Sequence, residues 1–141
     1  MFMLRLLFLP LLLLGCKKIS DVNDVDSNYD KWKKLGISDY QFTLRVNCFC
    51  PIETVGPHQV VVKNNAVVSV NGSSYDTNQH YHIKTINQFF DFIQKTLAQK
   101  PAQKTLEFDP KYHIPTNIFF DLSEMIADEE IGYVITDFKP L

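Results

Sequence analysis

The eleven residues from Tyr40 to Cys50 alternate in character, and this constrains the fold more than any other feature of the chain. Tyr40, Phe42, Leu44, Val46, Cys48 and Cys50 fall on one side, and Gln41, Thr43, Arg45, Asn47 and Phe49 on the other. Successive side chains of a β-strand point to opposite faces, so the pattern predicts a strand with one face buried and one face wet. Pro51 cannot donate to a ladder and ends it. Phe49 is the one apolar residue on the polar side, a position that a partner surface or a second packed layer would accommodate.

The flanking sequence supplies more strands and the helices to cover them. Ser27, with Asp30 three residues on, predicts a helix start, and Tyr29, Trp32 and Leu35 give it one apolar face before Gly36 stops it. Ile52 to Pro57 reads as a loop. Gln59–Lys63 and Ala66–Val70 are valine-rich runs joined by Asn64-Asn65, a pair that tolerates the positive φ of a two-residue hairpin turn. Gly72 to Lys84 reads as a polar connector. Thr85 and Gln88 form a capping box for a second helix, whose stripe is Ile86, Phe89, Phe90, Ile93 and Leu97 and which stops before Pro101. The cluster of Phe89, Phe90 and Phe92 with Ile93 reads as core. Strands follow at Thr105–Phe108, Thr116–Asp121 and Ile131–Phe138, with a turn at Asp109–Pro115 and an acidic loop or helical turn at Leu122–Glu130. The expected class is α+β, an antiparallel sheet of about six strands with two helices on one face, in the order αβββ-αβββ.

The first residues specify an address. Arg5 is a positive leader, Leu6 to Leu14 an apolar run broken only by Pro10, and Gly15 a small residue at a cut site, which together make a secretory signal peptide over residues 1–15. The run is too short for a membrane span, which takes about 20 apolar residues. Leu13-Leu14-Gly15-Cys16 resembles the lipobox of bacterial lipoproteins. That resemblance implies a lipidated Cys16 as the mature N-terminus, tethering the chain to the exported side of a bacterial membrane. Lys17 after it implies the outer membrane where the host has one. Residues 16–26, polar and aspartate-rich, read as a flexible tether, leaving 27–141 as a single domain.

Loss of residues 1–15 removes one of the 14 Lys and Arg and none of the 16 Asp and Glu, so the formal charge goes from −2 to −3. That balance argues against a nucleic-acid partner. With Cys16 acylated, two cysteines remain, exported and free to oxidise.

Trp32 with Asp39-Tyr40, Cys48-Phe49-Cys50-Pro51, and Gly56-Pro57 before Val60-Val61-Val62 carry a family resemblance. Thr85-Ile86 with Phe89-Phe90, Phe108-Asp109 with Pro115, and Asp128-Glu129-Glu130 continue it. In this order they resemble the small bacterial lipoproteins of domain-of-unknown-function family 6174. Asn64-Asn65 stands where an Asp/Asn-Gly turn is usual, and His113 where the family has glycine. The resemblance implies a lipoprotein and no particular activity.

Candidate chemistry is sparse. In a regular strand the Cα atoms of Cys48 and Cys50 would be roughly 6.7 Å apart, at the edge of the roughly 4.4–6.8 Å that a disulfide accepts. A local disulfide, two buried free thiols, and a thiol or soft-metal role all fit the spacing. His80 and His82, with His58 and His113, read as solvated surface histidines, joint binding of copper or zinc with the cysteine pair being the alternative. Asp128-Glu129-Glu130 lacks the glycine and alternating ligands of a calcium loop and reads as a solvated face, with a carboxylate enzyme as the alternative. No nucleophile elbow, zinc-protease helix, phosphate loop or dinucleotide fingerprint occurs. The expectation is a non-enzymatic interaction module of the cell envelope with an envelope protein partner. No cofactor or metal is expected, no catalytic residue is assigned, and Phe49, Asp128, Glu129 and Glu130 are the candidate surface site.

Overall fold

The computed structural model describes residues 22–126 and 128–141. The signal run, Cys16 and the start of the tether lie outside the described residues. The architecture is α+β, one antiparallel sheet of seven strands with three helices. In chain order these are α1 Val22–Lys34, β1 Tyr40–Asn47, α2 Ile52–Val55, β2 His58–Lys63, β3 Ala66–Val70, β4 Ser73–Ser74, α3 Ile86–Ala98, β5 Gln103–Phe108, β6 Pro115–Asp121 and β7 Ile131–Pro140. The strands lie side by side as β4-β3-β2-β1-β7-β6-β5. The two halves of the sheet therefore meet where β1 pairs with the last strand, β7. Relative to the expected six strands and two helices, the additions are the two-residue β4 and the single-turn α2, which replaces the expected loop at Ile52–Pro57.

β1 keeps the alternation of its sequence: Tyr40, Phe42, Leu44 and Val46 are buried, while Gln41, Arg45 and Asn47 are exposed. It stops at Asn47, three residues short of the expected end at Cys50. The β2–β3 hairpin turns through Asn64 and Asn65, both at positive φ (49° and 59°), as a mirror-type turn requires. α3 begins at the capping box: Thr85 N–H donates to Gln88 Oε1 and Gln88 N–H to Thr85 Oγ1. Ile86, Phe89, Phe90 and Ile93 are fully buried against the sheet, each contributing about 1.5–3 kcal/mol. Leu97 is only half-buried.

α1 corrects the expected boundaries. It begins at Val22, so residues 22–26 are helical rather than tether, and Ser27 lies within the helix. Val25 is fully buried and sits one turn before Tyr29 and two before Trp32, which completes the stripe upstream; Leu35, assigned to that stripe, is 44% exposed. The helix is fixed to α3 by three contacts. Tyr29 stacks on Phe90 with centroids 4.6 Å apart, Trp32 Nε1 donates to Asn87 Oδ1 at 2.8 Å, and Gln94 Nε2 donates to Asp26 Oδ1 at 2.7 Å.

β7 contains an extra residue opposite β1, with Asp137 at φ 54° and the register shifting between Gln41 and Thr43. A bulge of this kind changes which face the following residue occupies. It returns Phe138 to the core side, where it packs against Trp32, Tyr40 and Tyr112.

Candidate functional site

The end of β1 and the start of β7 pair through Asn47 and Gly132, and Gly132 pairs onward with Phe119 of β6. Val46, Tyr133, Ile118 and Phe120 are buried in the core, so Asn47, Gly132 and Phe119, their alternating neighbours, lie on the opposite face of the sheet. A hollow of about 290 Å3 opens there, lined by Asn47, Cys48, Phe49, Phe119, Asp128 and Glu130. A Cβ on Gly132 would come within 3.3 Å of Asn47 Cβ and 3.2 Å of the Ile118 carbonyl oxygen, so a bare backbone lets the Asn47 side chain lie close over it.

Four residues singled out in the sequence thus converge: Cys48, Phe49, Asp128 and Glu130. Cys50 joins them through Cys48. The chain leaves the strand after Asn47, the two Cα atoms close to 5.3 Å and the sulfurs come into bonding contact, which the roughly 6.7 Å of an unbroken strand would have hindered. Glu129 is exposed but is not among the lining residues. Phe49, at the tip of this corner, is 85% exposed, and Ile52 beyond it is 75% exposed. Asp128 reaches the hollow from a left-handed backbone conformation, φ 74°. Its loop opens as an Asx turn, the buried Asp121 accepting from Ser123 N–H at 3.0 Å.

The corner is anchored from below. Thr54 of α2 is buried, its N–H bonded to the Pro51 carbonyl, and its own carbonyl accepts from His58 Nε2 at 2.9 Å. Gly56, at φ 86°, makes room for this: a Cβ there would lie 2.8 Å from His58 Cδ2 and 2.9 Å from the Leu44 carbonyl oxygen. The structure corrects the expectation of solvated histidines. His58 and His82 are buried, and their Nε2 atoms face each other at 3.2 Å. A carbonyl only accepts, so His58 Nε2 carries the proton, and His82 Nε2 opposite it is the bare nitrogen, since two N–H groups cannot point at each other. Burial, followed by the neighbouring His58, His80 and Lys84, lowers the His82 pKa to about 4, keeping the ring neutral. Position in a polar connector gave no sign of this for His82, which meets His58 of β2. Among the described residues, no three His, Cys, Asp or Glu side chains gather as a metal-ligand set.

No local pattern marks Lys84, which lies between the buried Ile83 and Thr85. Its Nζ lies 5.2 Å from the Tyr133 ring centroid and 5.7 Å from that of Phe92, and burial lowers its pKa. Phe92 is half-buried beside it, not fully in the core as expected.

The model of a family described as "Family of unknown function (DUF6174)" matches residues 24–140. No curated protein and no solved structure matches the chain.

Proposed function

The chain belongs to that family of unknown function, DUF6174, and we propose that it is a lipid-tethered, non-enzymatic binding module of the bacterial cell envelope that holds an envelope protein partner at the Phe49 corner. The observation that carries this reading is Phe49 itself. An aromatic ring 85% exposed on a braced corner, beside a hollow floored by Phe119, is an anchor without a socket. Buried interface aromatics are the side chains whose loss most weakens a complex. Asp128 and Glu130 at the rim, on a chain of net negative charge, fit a basic segment with an apolar tip to fill the hollow. The tether rests on Leu13-Leu14-Gly15-Cys16 with Lys17 following. Palmitate incorporated in the wild type and lost in Cys16→Ser tests it.

The binding test places a photo-crosslinking residue at position 49 of the full-length lipidated protein in intact cells, with the same residue at Val68, an exposed position on β3, as control. The expected result is one cross-linked envelope protein from position 49, weakened in the double variant Asp128→Asn, Glu130→Gln. Equal labelling from Val68 would overturn it.

A second reading is favoured by the bonding contact of Cys48 and Cys50 at an exposed corner: reversible thiol–disulfide exchange with a partner dithiol, which would take up the bond's oxidation and leave Cys48 and Cys50 as thiols. Replacing both by Ser abolishes exchange with a small dithiol under this reading. Wild-type protein that does not exchange with the dithiol, together with a folded double variant whose cross-linking from position 49 falls, marks the pair as a brace for Phe49.

A further inference from the structure

Away from the Phe49 corner, where α3 meets the segment between β4 and α3, lies a hollow of about 650 Å3 lined in part by Tyr75, Tyr81, Lys84, Phe92, Asp91 and Lys95. Its size falls within the roughly 300–1,000 Å3 of small-molecule sites. Two features of Lys84 make it more than a surface depression. The ammonium lies low in the hollow, over the faces of Tyr133 and Phe92, with only two long contacts, 3.4 Å to Tyr133 Oη and 3.5 Å to the His82 carbonyl oxygen. No carboxylate of the described residues lies within 4.0 Å of it; Lys33–Asp30 is the one ion pair among those residues. A partly desolvated cation with no counter-charge is costly, and an anion that reaches it recovers that cost.

Asp91 lines the same hollow but is exposed, and Lys95, one turn along α3, offsets it. Tyr81, 68% exposed, and Tyr75 line the same hollow as Phe92 and supply flat apolar surfaces.

We propose that this hollow binds a small organic carboxylate with a flat apolar body, its carboxylate on Lys84 Nζ and its body between the rings of Tyr75, Tyr81 and Phe92. A single half-buried ammonium matches a monoanion. A phosphate ester, with up to two charges and three acceptor oxygens, needs more donors than Lys84 supplies. Lowering of the Lys84 pKa by burial agrees with this, since burial disfavours the charged amine and a bound carboxylate would offset that penalty.

The test titrates the full chain in detergent, against empty micelles, with a fluorinated naphthoate followed by fluorine NMR. The matching naphthyl methanol and naphthyl phosphate run alongside. The expected outcome is saturable naphthoate binding, at least tenfold weaker in Lys84→Met and restored toward wild type in Lys84→Arg, with the alcohol and the phosphate both weaker than the carboxylate. Circular dichroism and the urea midpoint verify that each variant is folded. Tyr81→Ala, a change at an exposed ring, weakens naphthoate binding without altering the fold. Naphthoate affinity unchanged by Lys84→Met in folded protein, tighter binding of the phosphate, or no saturable binding by the wild type would each overturn the assignment.

Discussion

Replacing Tyr40 by Phe removes one oxygen from the centre of the molecule. Tyr40 starts β1 and is fully buried, and its hydroxyl accepts from the backbone N–H of Ile86 at 2.9 Å. Ile86 is the first residue of α3, so this N–H is one of the helix-start donors that have no partner within the helix. Thr85 and Gln88 serve two others in the capping box, and Tyr40 serves the one that faces the sheet. The same environment raises the Tyr40 pKa to about 12, chiefly through burial. Phe keeps the edge-on contact with Trp32 and the contact with Phe138 while leaving the Ile86 N–H buried and unpaired. Such a group costs about 1–3 kcal/mol, which with a urea slope of about 1–3 kcal/mol/M lowers the midpoint by roughly 1 M. Trp32, the single tryptophan and 3% exposed, reports the transition by fluorescence. A midpoint shift below about 0.2 M at unchanged slope would refute the reasoning, since it would mean that water or another acceptor serves Ile86.

Two further outcomes follow from the support beneath the corner. The His82 pKa of about 4 lies below its ordinary 6.5, so the folded protein favours the neutral ring. That contribution is complete above about pH 6.5 and is lost as the pH falls toward 4, up to about 3 kcal/mol in all. Urea midpoints measured between pH 7.5 and pH 4 should fall accordingly, and His82→Gln should flatten the curve. Gly56→Ala, whose new Cβ meets the Leu44 carbonyl and the His58 ring below 3 Å, should cost on the order of 3 kcal/mol or more. Gly72→Ala, also at positive φ but with nothing within 4 Å, should cost only about 1 kcal/mol; equal losses measured by urea unfolding would remove the steric argument.

Local patterns were legible wherever a few neighbouring residues decide the structure. The alternation of Tyr40 to Asn47, the Asn64-Asn65 turn and the Thr85–Gln88 box all appear as read. His113, noted in the sequence for standing where the family has glycine, does adopt positive φ, at 61°. The departures have different causes. Ser27 looked like a helix start because it is a good cap, yet the burial of Val25 in the core accompanies a helix that begins at Val22. Asn71-Gly72 turns the chain into β4, which is two residues long and has no alternation to show in the sequence. The burial of His82 accompanies its meeting with His58 across 24 residues of sequence, which no periodicity encodes. For the site, Phe49 was legible as an apolar residue on a polar face, and Asp128 and Glu130 as an acidic run. Their meeting over Phe119 follows from β1 pairing with β7 across most of the chain's length. Lys84 was not legible, since a lone lysine between Ile83 and Thr85 says nothing of the rings above which it lies.

The most direct test of binding through the Phe49 corner is the equilibrium affinity of the cross-linked partner for three purified full-length proteins: wild type, Phe49→Ala and Val68→Ala. An aromatic anchor seated in a partner is worth about 2 kcal/mol or more, roughly a thirtyfold change. Binding at least that much weaker for Phe49→Ala, with Val68→Ala matching the wild type, is the expected result. Equal affinities for wild type and Phe49→Ala would contradict it.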